Sequence, residues 1–151
     1  ECAPGSLYGA MNALAEKALD FPDKPAFSPL FCGTRRHPEK RAALEKIDDR
    51  NFDAAHLCGA FVEGMAGELC AVYEEMRAAG AAKPALLVGS GNAIRKNPAL
   101  KAAFERAFGM PMKIPAHQEE AAFGAALFAL AGAQDKPIWE LAAKCVRYTD
   151  D

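Results

Sequence analysis

No apolar run in this chain approaches the roughly 20 residues that a membrane-crossing helix requires. The first residues, ECAPGSLYGAMNALAEK, have no basic start followed by an apolar block. Neither a bilayer span nor a secretory leader is expected, and the cytoplasm is the default compartment. Positive charge is not in excess either: 18 Lys and Arg stand against 20 Asp and Glu, a formal net charge of -2. Nucleic acid and anionic membrane surfaces are thereby set aside as main partners, since both need a cationic excess. Small neutral or anionic ligands stay open. The five cysteines, Cys2, Cys32, Cys58, Cys70 and Cys145, are odd in number and lack CxxC spacing, against a zinc site or a secreted disulfide framework. They read as reduced thiols, mostly packing residues. His37, His56 and His117 share no i,i+4 spacing, so no metal site is expected.

The 151 residues, 51% hydrophobic and 25% charged, suit one ordinary domain. Leu7, Met11, Leu14 and Ala18 predict a helix over 6–19 that the prolines of DFPDKP stop. A loop rich in Pro, Gly and basic residues follows, with only a short helix from Pro38 to Ile47. Asp53 is the N-cap expected for a long helix. Its inner face is read from Val62, Met65, Leu69, Val72, Tyr73 and Met76, and Gly80 stops it. Ala60, Gly64 and Gly67 make a small-residue track on that helix, fit for close approach by another backbone. A buried strand is predicted over 85–88, then a glycine turn. Asn97 and Pro98 open a helix whose inner face is Leu100, Phe104 and Phe108 and which Gly109 closes. A second strand over 112–114 leads to a helix over 118–131 ending at Gly132. Pro137 opens a last helix with Trp139, Leu141 and Cys145.

Strand, helix, strand, helix implies a parallel crossover, and a parallel sheet needs helices on both faces. Two short strands do not make such a sheet, so further strands are expected outside the chain or in unrecognised segments. Glu rather than Met at position 1 fits a processed or truncated piece.

In LLVGSGNAIRKNPALKAAFERAFG, Gly89 and Gly91 remove side chains at the end of a strand, where a flat ligand could lie against the backbone. The next helix turns its amide-rich end to the same place. By itself the pattern also fits a plain bend. Together with EEAAFGAALFALAG, however, it resembles the adenosine motif and closing helix of the sugar kinase, actin and Hsp70 superfamily. Gly124, Ala125 and Ala126 match an alanine-rich element that lets the later helix lie close to the turn.

Upstream, AAHLCGAFVEGMAGEL resembles a signature of the FGGY carbohydrate kinases, with His56, Leu57, Ala60 and Glu63 in its positions and Ile47 at the expected distance. Lys46 stands where that signature usually has Gly. PLFCGTRRHPEK is similar to the family's Gly-x-Arg-x-Pro loop, through Gly33, Arg35 and Pro38, with one extra residue. The resemblance covers roughly residues 28–132. It implies an α/β piece of an actin-like ATPase, ribonuclease H-like, helix-rich with a short parallel sheet, forming the later part of the second, nucleotide-side domain. The parent reaction it implies is ATP-dependent phosphorylation of a ketose of the sedoheptulose kind, with Mg2+ accompanying ATP. By family position Gly89, Ser90, Gly91 and Asn92 would contact adenine or ribose. Asn97 is either an adenine partner or only a helix cap.

The resemblance also implies what is not here: the phosphate loop, the first domain, and the Gly-Asp element whose Asp takes the sugar hydroxyl proton. No catalytic or metal-binding residue is assigned, and the piece alone is expected to be inactive. Two alternatives remain, a chaperone- or actin-type nucleotide switch, and a non-catalytic module that binds a partner through the glycine track. Glu119 and Glu120, adjacent on a helix, point about 100° apart and read as favouring its N-terminus rather than as a hydrolytic pair. Arg35, Arg36, Lys40 and Arg41 form a basic patch that either meets a phosphate across a domain cleft or is hydrated surface. Trp139, the phenylalanines, Met65, Met76, Met110 and Met112 read as core.

Overall fold

The computed structural model describes residues 5–149; Cys2 and the first residue lie outside them. In chain order the elements are α1 (Ser6–Ala18), β1 (Ala26–Ser28), β2 (Ala43–Glu45), α2 (Ala54–Ala78) and β3 (Leu87–Val88). There follow α3 (Asn92–Arg95), α4 (Pro98–Phe108), β4 (Met112–Lys113), α5 (Glu120–Gln134) and α6 (Ile138–Cys145). Local chemistry sets several boundaries as expected. Asp53 accepts from the N–H groups of Ala55 and His56 and starts α2, and Asn97 accepts from Leu100 N–H one residue before Pro98. Gly109, at φ 61, closes α4 in the left-handed region.

Helices α1, α2 and α4 pack around a core of Ala15, Val62, Ala66, Ala99, Leu100 and Ala103. Four of those six are alanines, so the helices approach closely with little side-chain volume between them. The small-residue track is filled in part from within the chain: Ala60 is buried, and a Cβ on Gly64 would run into the Phe27 carbonyl, while beside the track a Cβ on Gly59 would meet Ala18 Cβ at 2.8 Å. At Ala60 and Gly64 the track is therefore closed to a partner by this chain's own packing. At Gly67 nothing lies within 4 Å.

Several expectations fail, each for a physical reason. Residues 38–47 form no helix; β2 pairs antiparallel with β1, with Phe27 opposite Leu44, because a non-local ladder overrides the local preference. The stripe Met65, Leu69, Val72 and Met76 is exposed, since α2 buries the neighbouring line Gly59, Ala60, Val62 and Ala66 instead. Trp139 is 71% exposed because α6 buries Leu141, and the next position after Ile138 lies about 100° round the helix. Phe31, Phe52 and Phe128 are exposed too, whereas Met110 and Met112 are buried. Helix α5 runs past Gly132 to Gln134 and ends at Asp135, a residue type that tolerates its φ of 48. Cys32 is exposed, while Cys58 and Cys70 are partly buried, and burial pushes both thiols up from their ordinary value.

Strands β3 and β4 run parallel, Leu87 beside Met112 and Val88 beside Lys113, as the crossover requires. Among the described residues this sheet has two strands. Helices α5 and α6 pack on each other around Leu127, Ala131 and Leu141, a second and separate cluster. Among the described residues α5 makes no helix–helix packing with the main body.

Candidate functional site

The turn after β3 is built by two glycines with different duties. Gly89 is buried and its N–H donates to Lys113 O at 3.0 Å; a Cβ there would collide with the Met112 sulfur and lie 2.9 Å from Ile94. It lets β3 close on β4 and α3, a packing role. Gly91, at φ 88 and ψ 163, adopts a backbone that side chains disfavour, and a Cβ there would meet nothing within 4 Å. Its α-carbon faces open space. Ser90 and Asn92, on either side, are exposed.

On one flank of the turn an apolar groove of about 400 Å³ runs between α2, β3 and α4, past Leu69, Val72, Val88, Ser90 and Phe104. On another, a groove of about 400 Å³ is lined by Arg95, Lys101, Ile114 and Gln118. Helix α3, which follows the turn, has only four residues and no side-chain cap. Moreover, the Gly91 N–H donates to Glu120 Oε1 at 3.2 Å. The same oxygen accepts from Arg95 Nη2 at 2.6 Å, and Arg95 Nη2 also donates to His117 O at 2.5 Å. The Arg95 guanidinium, then the backbone N–H groups of Glu120 and Gly91, hold the Glu120 carboxyl below its usual value. Glu120 is thus more than a group favouring its helix end, and sequence reasoning missed its partnership with Arg95, 25 positions away. An acid at the first position of α5 and a cation in the turn were the only signal.

The Gly124–Ala126 element does not press against the turn: nothing lies within 4 Å of a Cβ on Gly124, and Ala125 and Ala126 are exposed. Contact between α5 and the turn runs through Glu120 instead. Gly89, Ser90, Gly91 and Asn92 do share one turn. Asn97 lies beyond α3 with its oxygen 2.9 Å from Leu100 N–H, as the cap of α4.

The remaining motif residues are architectural. His56 stands with Nδ1 2.6 Å from Asp53 Oδ2 and Nε2 3.4 Å from Asp23, tilted against Phe21. Glu63 pairs with Lys24 at 3.1 Å, and Lys24 donates to the carbonyls of Ala18, Leu19 and Phe21 at the end of α1 and just past it. Gly33, at φ 69, passes so near His37 that a Cβ would lie 2.6 Å from its carbonyl. Lys46 sits at φ 59, a left-handed conformation that glycine adopts without strain, which accounts for the glycine the FGGY signature usually has there. The basic patch borders a groove of about 550 Å³ that also holds Glu68 and Glu75, and Arg36 pairs with Glu75 at 3.2 Å, as on a hydrated surface of mixed charge.

Residues 6–133 match the model of the FGGY family of carbohydrate kinases, C-terminal domain. Sedoheptulokinase of Mus musculus is 30% identical over 132 residues, 86% of this chain and 26% of that protein. The chain therefore spans about a quarter of the length of the curated relatives it matches. Among solved structures, a xylulose kinase from Rhodospirillum rubrum superposes with a TM-score of 0.80 at 21% identity, over 97% of this chain and 29% of that one. A Plasmodium falciparum glycerol kinase, solved with ADP, gives 0.68 at 20% identity over 79% of this chain and 24% of its own. The fold is that of the actin-like ATPases, helix-rich with a short parallel sheet.

Proposed function

We infer the function from one premise: the chain belongs to the FGGY family of carbohydrate kinases. Our reading is that it forms the adenosine side of the cleft in an enzyme that phosphorylates a ketose of the sedoheptulose kind with ATP. It would be the later part of the nucleotide-side domain, working against a first domain of the same protein. The observation that carries the reading is the bare α-carbon of Gly91, held open between exposed Ser90 and Asn92. A flat nucleoside fits such a surface, whereas a side chain at that position would stand in its way.

Phosphoryl transfer depends on positioning and on charge stabilisation. This chain's share is positioning: Ser90, Gly91 and Asn92 hold the nucleoside so that the phosphates extend towards the sugar. Bound ATP supplies the transferred phosphoryl group. Magnesium would accompany ATP in this reaction, held mainly by the phosphates and water; among the described residues no three His, Cys, Asp or Glu side chains gather, and we assign none of them as a ligand. We assign the base that takes the sugar hydroxyl proton to the rest of the polypeptide. No helix of the described residues is long and apolar enough to cross a membrane, and a cytoplasmic setting accords with the use of ATP.

The test is a screen of the intact protein against ketoses and polyols, sedoheptulose, xylulose and glycerol among them, with coupled detection of ADP. A ketose-dependent release of ADP is expected, with no turnover from the 151-residue chain alone. Absence of sugar-dependent ADP across the panel would overturn the reading.

A further inference from the structure

We propose that Arg95 and Glu120 are positioning residues for the nucleotide turn. One carboxylate oxygen of Glu120 gathers the Gly91 N–H and the Arg95 guanidinium, and so fixes the direction in which the bare face of Gly91 meets the nucleoside. The inference rests on the proposed function, since it concerns the same turn.

Three observations carry it. The first is connectivity. Among the described residues α5 packs against α6 and against no helix of the main body, so the bonds from Glu120 tie the first turn of α5 directly to the glycine turn. The second is shielding. The side chains of Arg95 and Glu120 are 16% and 28% exposed, and the Arg95 Nε is buried without a hydrogen-bond partner. A charge-assisted bond in that setting is shorter and more directional than one at an open surface, and it holds a geometry. The third is chemistry at the turn. With its N–H committed to a carboxylate, Gly91 offers a ligand its α-carbon and not its amide, and an anionic oxygen stands where a phosphate would seek that amide. The turn is thereby suited to the uncharged nucleoside end of the nucleotide.

Calorimetric titration of the intact protein with ATP and with adenosine tests this in Glu120→Ala, Glu120→Gln and Gly91→Val. Gln keeps an oxygen for the Gly91 N–H, and Ala does not. Glu120→Ala is expected to weaken adenosine and ATP by the same factor, about tenfold, the range for one hydrogen bond to a charged group. Glu120→Gln is expected to recover most of that loss. Amide exchange at Gly91 is expected to quicken in the Ala variant and not in the Gln variant.

Thermal melts of the same variants separate positioning from simple destabilisation. A lowered Tm with wild-type adenosine affinity in Glu120→Ala overturns the proposal, and so does a loss confined to ATP. Should Glu120→Ala fail to fold, Arg95→Met asks the same question, because it removes the guanidinium that shares the Glu120 oxygen with the Gly91 N–H while keeping the carboxylate itself; unchanged adenosine affinity there overturns the proposal. If Gly91→Val binds like wild type, the turn is no nucleoside site and the proposed function loses its support. If Gly91→Val loses affinity while Glu120→Ala keeps it, the site stands and the Arg95–Glu120 device alone falls.

Discussion

Gly89 and Gly91 stand two positions apart and differ in what surrounds them. A methyl on Gly89 would have to displace buried Met112 and crowd Ile94, so Gly89→Ala is expected to cost about 1–3 kcal/mol, as overpacking does. Urea denaturation reads that cost; a neutral result would mean that Met112 simply turns aside. Asn97 is separated from the turn by α3 and caps α4, so Asn97→Ala is expected to lose about 1 kcal/mol. Asn97→Asp keeps the capping oxygen and removes the amide nitrogen. It is expected to hold both Tm and ATP affinity; a fall in affinity alone would return Asn97 to the nucleotide site. Asp53 gives a pH signature. Bonds from the His56 N–H first, and next from the His56 ring, hold its carboxyl below the usual aspartate value. The stabilisation is complete above that usual value and is lost as pH falls through the lower folded value. Asp53→Asn is expected to flatten this acid loss in a Tm-against-pH series, and an unaltered slope would contradict the assignment. The caps were legible because capping needs one residue type at one position. The Arg95–Glu120 pair was not, because nothing local marks which cation an acid will meet 25 positions away.

Helices α1, α2 and α4 could be read from periodicity and stop signals, since their ends are fixed by Asp53, Asn97, Gly109 and the residues around DFPDKP. The β1–β2 pair could not. Its three-residue strands have no meaning until Phe27 meets Leu44 and the pair is laid on Gly64 of α2. That dependence is testable. Gly64→Ala would set a methyl against the Phe27 backbone, which cannot swing aside as a side-chain tip does, and a loss of about 1–3 kcal/mol is expected in urea denaturation. Faster amide exchange at residues 26–28 and 43–45 should accompany it. Full protection of both strands in Gly64→Ala would contradict the packing described here. Which face of α2 is buried was also hidden, because periodicity finds an apolar stripe without saying whether the stripe meets its cover within the same chain. Met65, Leu69, Val72 and Met76 form a true stripe, yet they remain exposed in these 151 residues.

Across the whole molecule, two bodies of apolar packing are joined by the segment from β4 to α5 and by the bonds of Arg95. Helix α5 is apolar nearly all round, and Phe128 and Leu130 lie exposed on it. With about a quarter of its relatives' length present, the chain holds the glycine turn and the elements that brace it. The family and its fold were legible because three motifs follow one another in order. The turn's geometry, a bare α-carbon with its amide turned away to Glu120, emerged only from the folded structure. The most direct measurement is a crystal structure of the intact protein with ADP. The nucleoside is expected against Ser90, Gly91 and Asn92, with the Gly91 N–H still on Glu120; a nucleoside bound elsewhere, with this turn bare, would contradict the account.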